Sequence, residues 1–172
     1  MPEFELIFEV DPLSETHEAS LVNELDVFVG GHGPSALVTI TFSGETATQA
    51  ALAAASRLRD DGVAIRRLVE DLVTRSTIAE RSGKTPQAVG LWARGERHSS
   101  DPFPAPYFLA GGGLWLWGEV NGWLARQGYA RDPLSHPARA DYARVNGALQ
   151  AQVDAEEGSD FQVASGPSAE VA

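Results

Sequence analysis

Residues 4–10, FELIFEV, alternate along the chain: Phe4, Leu6, Phe8 and Val10 share one face and Glu5, Ile7 and Glu9 the other, the pattern of a half-buried strand. Residues 14–25 change period. Leu21 and Leu25 recur four apart with Val22 beside them, and Ser14 stands where a helix N-cap is needed after the Asp-Pro turn. DVFV (26–29) and ALVTITF (36–42) are β-branched and aromatic runs joined by GGHGPS, a glycine-rich link suited to a hairpin connection. An alanine-rich helix over 45–62 closes at Gly62, and VAIRRLVE (63–70) reads as a fourth strand. The predicted order βαββαβ is that of the ferredoxin-like split βαβ arrangement, an antiparallel sheet with two helices on one face.

The open face of such a sheet carries Glu5, Ile7, Glu9, Thr39 and Thr41. Acids and threonines offer nothing on which to stack a base, so an RNA-recognition role is excluded for this face. A scaffold or dimerisation domain and a small-ligand sensor both remain, since fold alone does not give function.

Residues 71–74 end the strand period and open a different one. Ile78 and Ala79 belong to the inner side of a short helix beginning near Thr74, Gly83 permits a tight turn, and Thr85 and Pro86 are the N-cap and first residue of a second helix. Val89 and Trp92 face inward with them. The spacing Ala79, Gly83, Val89, Trp92 resembles the helix-turn-helix pattern, with Ser82 and Lys84 in place of the small or apolar residues usual on either side of the turn. Downstream lie a basic loop, the element Phe103-Pro104-Ala105-Pro106, a glycine-turned hairpin of YFLA against LWLW, and a helix whose Trp117, Val120 and Trp123 share a face.

Charge changes the picture. The chain of 172 residues has a formal net charge of −11 and no cysteine, which excludes a disulfide framework and a thiolate metal site. Residues 1–72 sum to −9, residues 73–128 to +2 and residues 129–172 to −4, so the segment with the helix-turn-helix spacing is the one part with a positive balance. An acidic N-terminus unlike a secretory signal, and apolar stretches too short for a membrane span, point to a cytoplasmic protein. Arginine-rich, alanine- and glycine-rich composition points to a high-GC bacterium or its phage.

Residues 73–128 resemble the winged helix-turn-helix of the AlpA/excisionase and MerR-like DNA-binding families, whose chains run helix-turn-helix, Phe-Pro-x-Pro, then a helix with Trp-x-x-x-Glu-Val-x-x-Trp-Leu spacing, here Trp115, Glu119, Val120, Trp123 and Leu124. The resemblance implies a regulator or excisionase-like factor bound to double-stranded DNA. Its second helix, 85–94, would enter the major groove with Thr85, Pro86, Gln87, Gly90, Leu91 and Arg94: Gln87 paired with adenine, Arg94 on guanine or phosphate, Leu91 on a thymine methyl, and Gly90 allowing close backbone approach. Arg97 and His98 would lie in the wing, and Arg75, Arg81 and Lys84 would contact phosphate.

Further on, Ala138, Tyr142, Val145, Leu149 and Val153 form a narrow apolar stripe on a C-terminal helix within 129–154, suited either to docking on the body or to pairing with a second copy. Residues 155–172 lack periodicity and read as a disordered tail. The four histidines fall in different segments without a local ligand spacing, and neither glycine-rich stretch has a P-loop context. The expectation is an α+β protein: an acidic ferredoxin-like domain (1–72), a winged helix-turn-helix (73–128), a helix and a tail. It is expected to be a homodimer, with no enzymatic activity, cofactor or metal. An adaptor that meets a protein partner through its acidic domain, in the manner of an antitoxin or antirepressor, is the alternative.

Overall fold

The computed structural model describes residues 1–163, the side chains of His32 and of residues beyond 155 excepted. It is a mixed α/β protein with six α-helices among the described residues and an antiparallel four-stranded sheet. Strand β1 (Glu3–Val10) is followed by α1 (Glu15–Leu25), β2 (Phe28–His32), β3 (Ser35–Ser43), α2 (Ala47–Asp60) and β4 (Ile65–Leu68), and the sheet order is β2-β3-β1-β4. The alternation read from the sequence sets the faces. Phe4, Leu6, Phe8 and Val10 are buried with Ala36, Val38 and Ile40, while Glu5, Ile7 and Glu9 are half-exposed on the other side. Helix α2 turns Ala47, Ala50, Ala51, Ala54, Ala55 and Leu58 to the core, a small-residue face that lets it lie close to the sheet. At the β3–α2 corner that approach requires Gly44, because a Cβ there would stand 2.8 Å from the backbone nitrogen of Ala50. Ser14 and Thr46 cap the two helices by accepting hydrogen bonds from His17 N and Gln49 N, both at 3.2 Å.

A second layer follows. Strand β5 (Leu72–Val73) leads into α3 (Arg75–Ser82), a turn at Gly83 (φ 64°), α4 (Pro86–Ala93), a long loop, a 3-10 turn (Ala110–Gly112), β6 (Trp115–Leu116) and α5 (Trp117–Arg126). Its core is aromatic: Trp92, Phe103, Trp115, Trp117 and Trp123 bury around Val73, Ile78, Val89 and Val120. Ser82, which departs from the usual helix-turn-helix residue, is 2% exposed and satisfied within its own helix, its hydroxyl donating to Ile78 O at 2.6 Å.

Two expectations are corrected here. The hairpin of YFLA against LWLW is reduced to a single bridge, Phe108 with Leu114; Trp115 and Leu116 pair instead with Val73 and Leu72, and Trp117 already begins α5. This pairing sends Trp115 into the aromatic core and Leu116 into the core of the sheet, which a free wing would leave exposed. The final helix, α6 (Arg139–Val163), runs well past residue 154, so residues 155–163 are helical and not a tail; residues 164–172 lie outside the described residues.

The stripe on α6 docks on the body. Tyr142, Val145 and Leu149 are buried in the core of the sheet, Val153 is half-buried, and Ala138 lies before the helix and exposed. Asn146 covers the open edge of β4, its amide nitrogen donating to Leu68 O at 3.0 Å and its oxygen accepting from Leu68 N at 2.7 Å, so the side chain replaces a neighbouring strand. Arg59 donates to Gln152, and Thr48 to Asp141 at 3.0 Å, along the α2–α6 seam. The stripe therefore gives no reason to pair with a second copy. No helix among the described residues is long and apolar enough to cross a membrane.

Candidate functional site

Helix α4 is short and locally determined. The Thr85 hydroxyl accepts from Ala88 N at 3.2 Å, Pro86 occupies the first turn where no amide donor is missed, and Arg94 closes the other end. Val89 and Trp92 anchor its inner side, Trp92 stacking on Tyr129 with ring centroids 5.3 Å apart and packing on Trp123 at 5.1 Å. Gln87 and Arg94 are left exposed and Leu91 half-exposed.

Two open grooves flank this helix. One, of about 470 Å³, is lined by Arg75, Ser76, Pro86, Gln87, Gly90, Leu91 and Arg94; the other, of about 330 Å³, by Lys84, Thr85, Gln87, Leu91, Arg97 and Tyr129 with parts of Ala88 and Trp92. Neither is lined by a carboxylate. Among the described residues Arg75, Lys84 and Arg97 have no acidic ion-pair partner, and Lys84 sits 4.5 Å over the ring of Tyr129, which holds its charge at the groove.

The other expected residues divide. Arg94 stays beside α4 but pairs with Glu96 at 2.6 Å; that hydrogen bond raises the arginine's pKa and lowers the glutamate's. Gly90 lines the first groove, as expected, but is covered by Arg94, whose Nη1 would stand 3.3 Å from a Cβ at that position. Arg81, expected to join Arg75 and Lys84, is turned away. It donates to Asp71 at 2.6 Å, lies 4.9 Å over the Trp117 ring and lines a separate cavity with Glu5 and Asp132. His98 is also redirected: half-buried with φ 59°, it shares a 2.9 Å hydrogen bond with Tyr129 Oη and packs edge-on against Trp123 at 5.2 Å. It buttresses the aromatic core.

Two further large apolar residues are exposed. Phe108 and Leu109, 54% and 84% exposed, stand at the tip of the loop whose Gly112 lies against Arg75, with Arg75 Nη2 3.4 Å from where a Cβ would be. The sequence hid them because their alternation with LWLW reads as a paired hairpin; two large apolar residues next to a run of three glycines was the available signal. No protein-family model, curated protein or solved structure matches this chain.

Proposed function

We propose that the protein binds double-stranded DNA as a transcription regulator or excisionase-like factor, with α3–α4 as a helix-turn-helix, α4 in the major groove and the loop from Arg97 to Gly113 as its wing. One observation carries the reading. In a chain of net charge −11, the two grooves along α4 are lined by no carboxylate, Glu96 meeting Arg94 at the end of the helix, and are bordered by Arg75, Lys84 and Arg97, cations without acidic partners among the described residues. Such a surface suits phosphate oxygens on both sides of a helix, while Gln87, Leu91 and Arg94 between them are of the types that read base edges. Arg94 exchanges Glu96 for a base or phosphate on docking. The βαββαβ order with sheet order β2-β3-β1-β4 supports a ferredoxin-like reading of the body. Its acidic surface repels DNA and confines contact to the α4 face.

Fluorescence anisotropy on a randomised duplex pool, followed by selection of the tightest binders, tests this. The wild-type chain is expected to enrich a motif, and Gln87→Ala to lose about 1–3 kcal/mol on that motif and much less on random duplex. A folded Gln87→Ala, Arg94→Ala double variant that keeps the same preference overturns α4 as the reading helix. Absence of any duplex binding at low salt leaves the acidic-face protein adaptor as the reading.

A further inference from the structure

The segment joining α5 to α6 touches the sheet at Ser135, which bridges to β1 below the end of β4: Glu5 N donates to Ser135 O at 3.0 Å and Ser135 N to Glu3 O at 2.9 Å. Asp132 and His136 flank that bridge. The main chain of Asp132 is fixed by buried Asn121, whose oxygen accepts from Asp132 N at 2.9 Å and whose amide donates to Asp132 O at 3.1 Å. Oδ1 of Asp132 accepts from Leu134 N at 2.9 Å, leaving Oδ2 directed at His136. The His136 side chain is 3% exposed, and its Nε2 is buried without a hydrogen-bond partner, 3.3 Å from Asp132 Oδ2 but out of alignment for a bond. Glu5 reaches the same point from the outer face of β1, and one ligand atom from each of the three residues lies within 4.8 Å of the others.

We propose that Glu5, Asp132 and His136 bind a first-row divalent metal ion, Zn²⁺ being the best suited, which staples the α5–α6 connection to the first strand of the sheet. A buried imidazole nitrogen without a partner costs free energy that a metal bond removes. Two ligands on one tetrahedral Zn²⁺ stand about 3.3 Å apart, given metal–ligand distances of about 2.0–2.2 Å. The His136–Asp132 separation already equals this, and Glu5, on a flexible and half-exposed side chain, closes the remaining gap by rotation. The charge is also suitable. Glu5 and Asp132 line a cavity together with two arginines, of which Arg81 is neutralised by Asp71 and Arg131 is exposed. One nitrogen and two oxygens are a set that Zn²⁺ accepts, with the fourth position left to water. The sequence hid the site because Glu5 is more than a hundred residues from its partners.

The site is independent of what α4 binds and is tested without DNA. Untagged full-length protein, stripped with chelator, is titrated with ZnCl₂ by calorimetry and with CoCl₂ by visible absorption. One equivalent is expected to bind, with Co²⁺ d–d bands and a rise in Tm that chelator reverses. Glu5→Gln and Asp132→Asn, conservative changes at partly exposed positions, are each expected to weaken Zn²⁺ by about tenfold or more with unchanged far-UV circular dichroism. Absence of saturable one-to-one binding overturns the proposal, and so does unchanged Zn²⁺ affinity in the folded double variant, which would put the ion elsewhere.

Discussion

The sheet body and the layer built on α3, α4 and α5 differ in how far their cations are paired. On the body Arg57 pairs with Asp61, Arg66 with Asp11, and Arg67 with both Glu9 and Glu70, so three of its four arginines are matched by acids, while Arg59 meets Gln152. In the second layer Arg81, Arg94 and Arg126 are paired, but Arg75, Lys84 and Arg97 have no acidic partner among the described residues, and these three border one helix. The net charge of the chain therefore says little about what it can hold. What matters is where cations remain without carboxylate partners. The cores differ as well: the body is built from aliphatic strands on an alanine-faced helix, the second layer from packed aromatic rings, yet Leu116 of β6 enters the core of the body and Arg139 of α6 pairs with Glu119 of α5 at 3.0 Å.

The largest effect is expected from breaking the aromatic core. Trp123 is fully buried and its indole donates to Asp101 O at 2.9 Å, so Trp123→Ala is expected to cost about 3–5 kcal/mol. Because strands β5 and β6 and helix α6 tie the layers together, thermal denaturation followed by circular dichroism should give one lowered transition. A body that still melts at the wild-type temperature would mean that the two layers fold separately.

Next comes the charge contrast itself. Removing Arg75, Lys84 and Arg97 together is expected to lower the magnitude of the log–log salt slope for duplex binding by about 3, following roughly 0.9 per phosphate contact. Removing the paired Arg66 and Arg67 should leave the slope unchanged. Anisotropy titrations across a salt series measure both, and equal slopes for the two variants would erase the distinction between paired and free cations.

A smaller effect probes the seam. Asn146→Ala leaves both main-chain groups of Leu68 without their side-chain partner and is expected to cost about 1–3 kcal/mol in urea denaturation, with faster amide exchange at Leu68. Unchanged exchange there would show that α6 does not protect the edge.

The smallest concerns acid. Asp101 accepts from Arg126 and Gln127, and the arginine's hydrogen bond holds its carboxyl below the ordinary value of 3.8. A depressed folded pKa contributes stability above the unfolded value that is lost as pH falls through the folded one. Asp101→Asn should therefore flatten the stability profile in the region at and below pH 4, with a slight loss at neutral pH; an unaltered acid profile would remove Asp101 from the account.

Sequence alone determined what depends on neighbours along the chain. The alternation of β1, the caps Ser14 and Thr85, the turn at Gly83 and the inward face of Trp117, Val120 and Trp123 are local, and each can be read because a helix or strand puts residues at fixed spacings on one side. The candidate groove was legible through α4 for the same reason. Contacts between distant segments decided the rest, because a side chain's partner is set by packing and not by spacing. Asp71 takes Arg81 from the groove, Tyr129 takes His98, Leu72 and Val73 take β6 from the hairpin, and Leu68 engages Asn146 so that the stripe on α6 closes a core instead of facing outward. Only the folded chain brings Glu5 to Asp132 and His136, since no periodicity spans that distance.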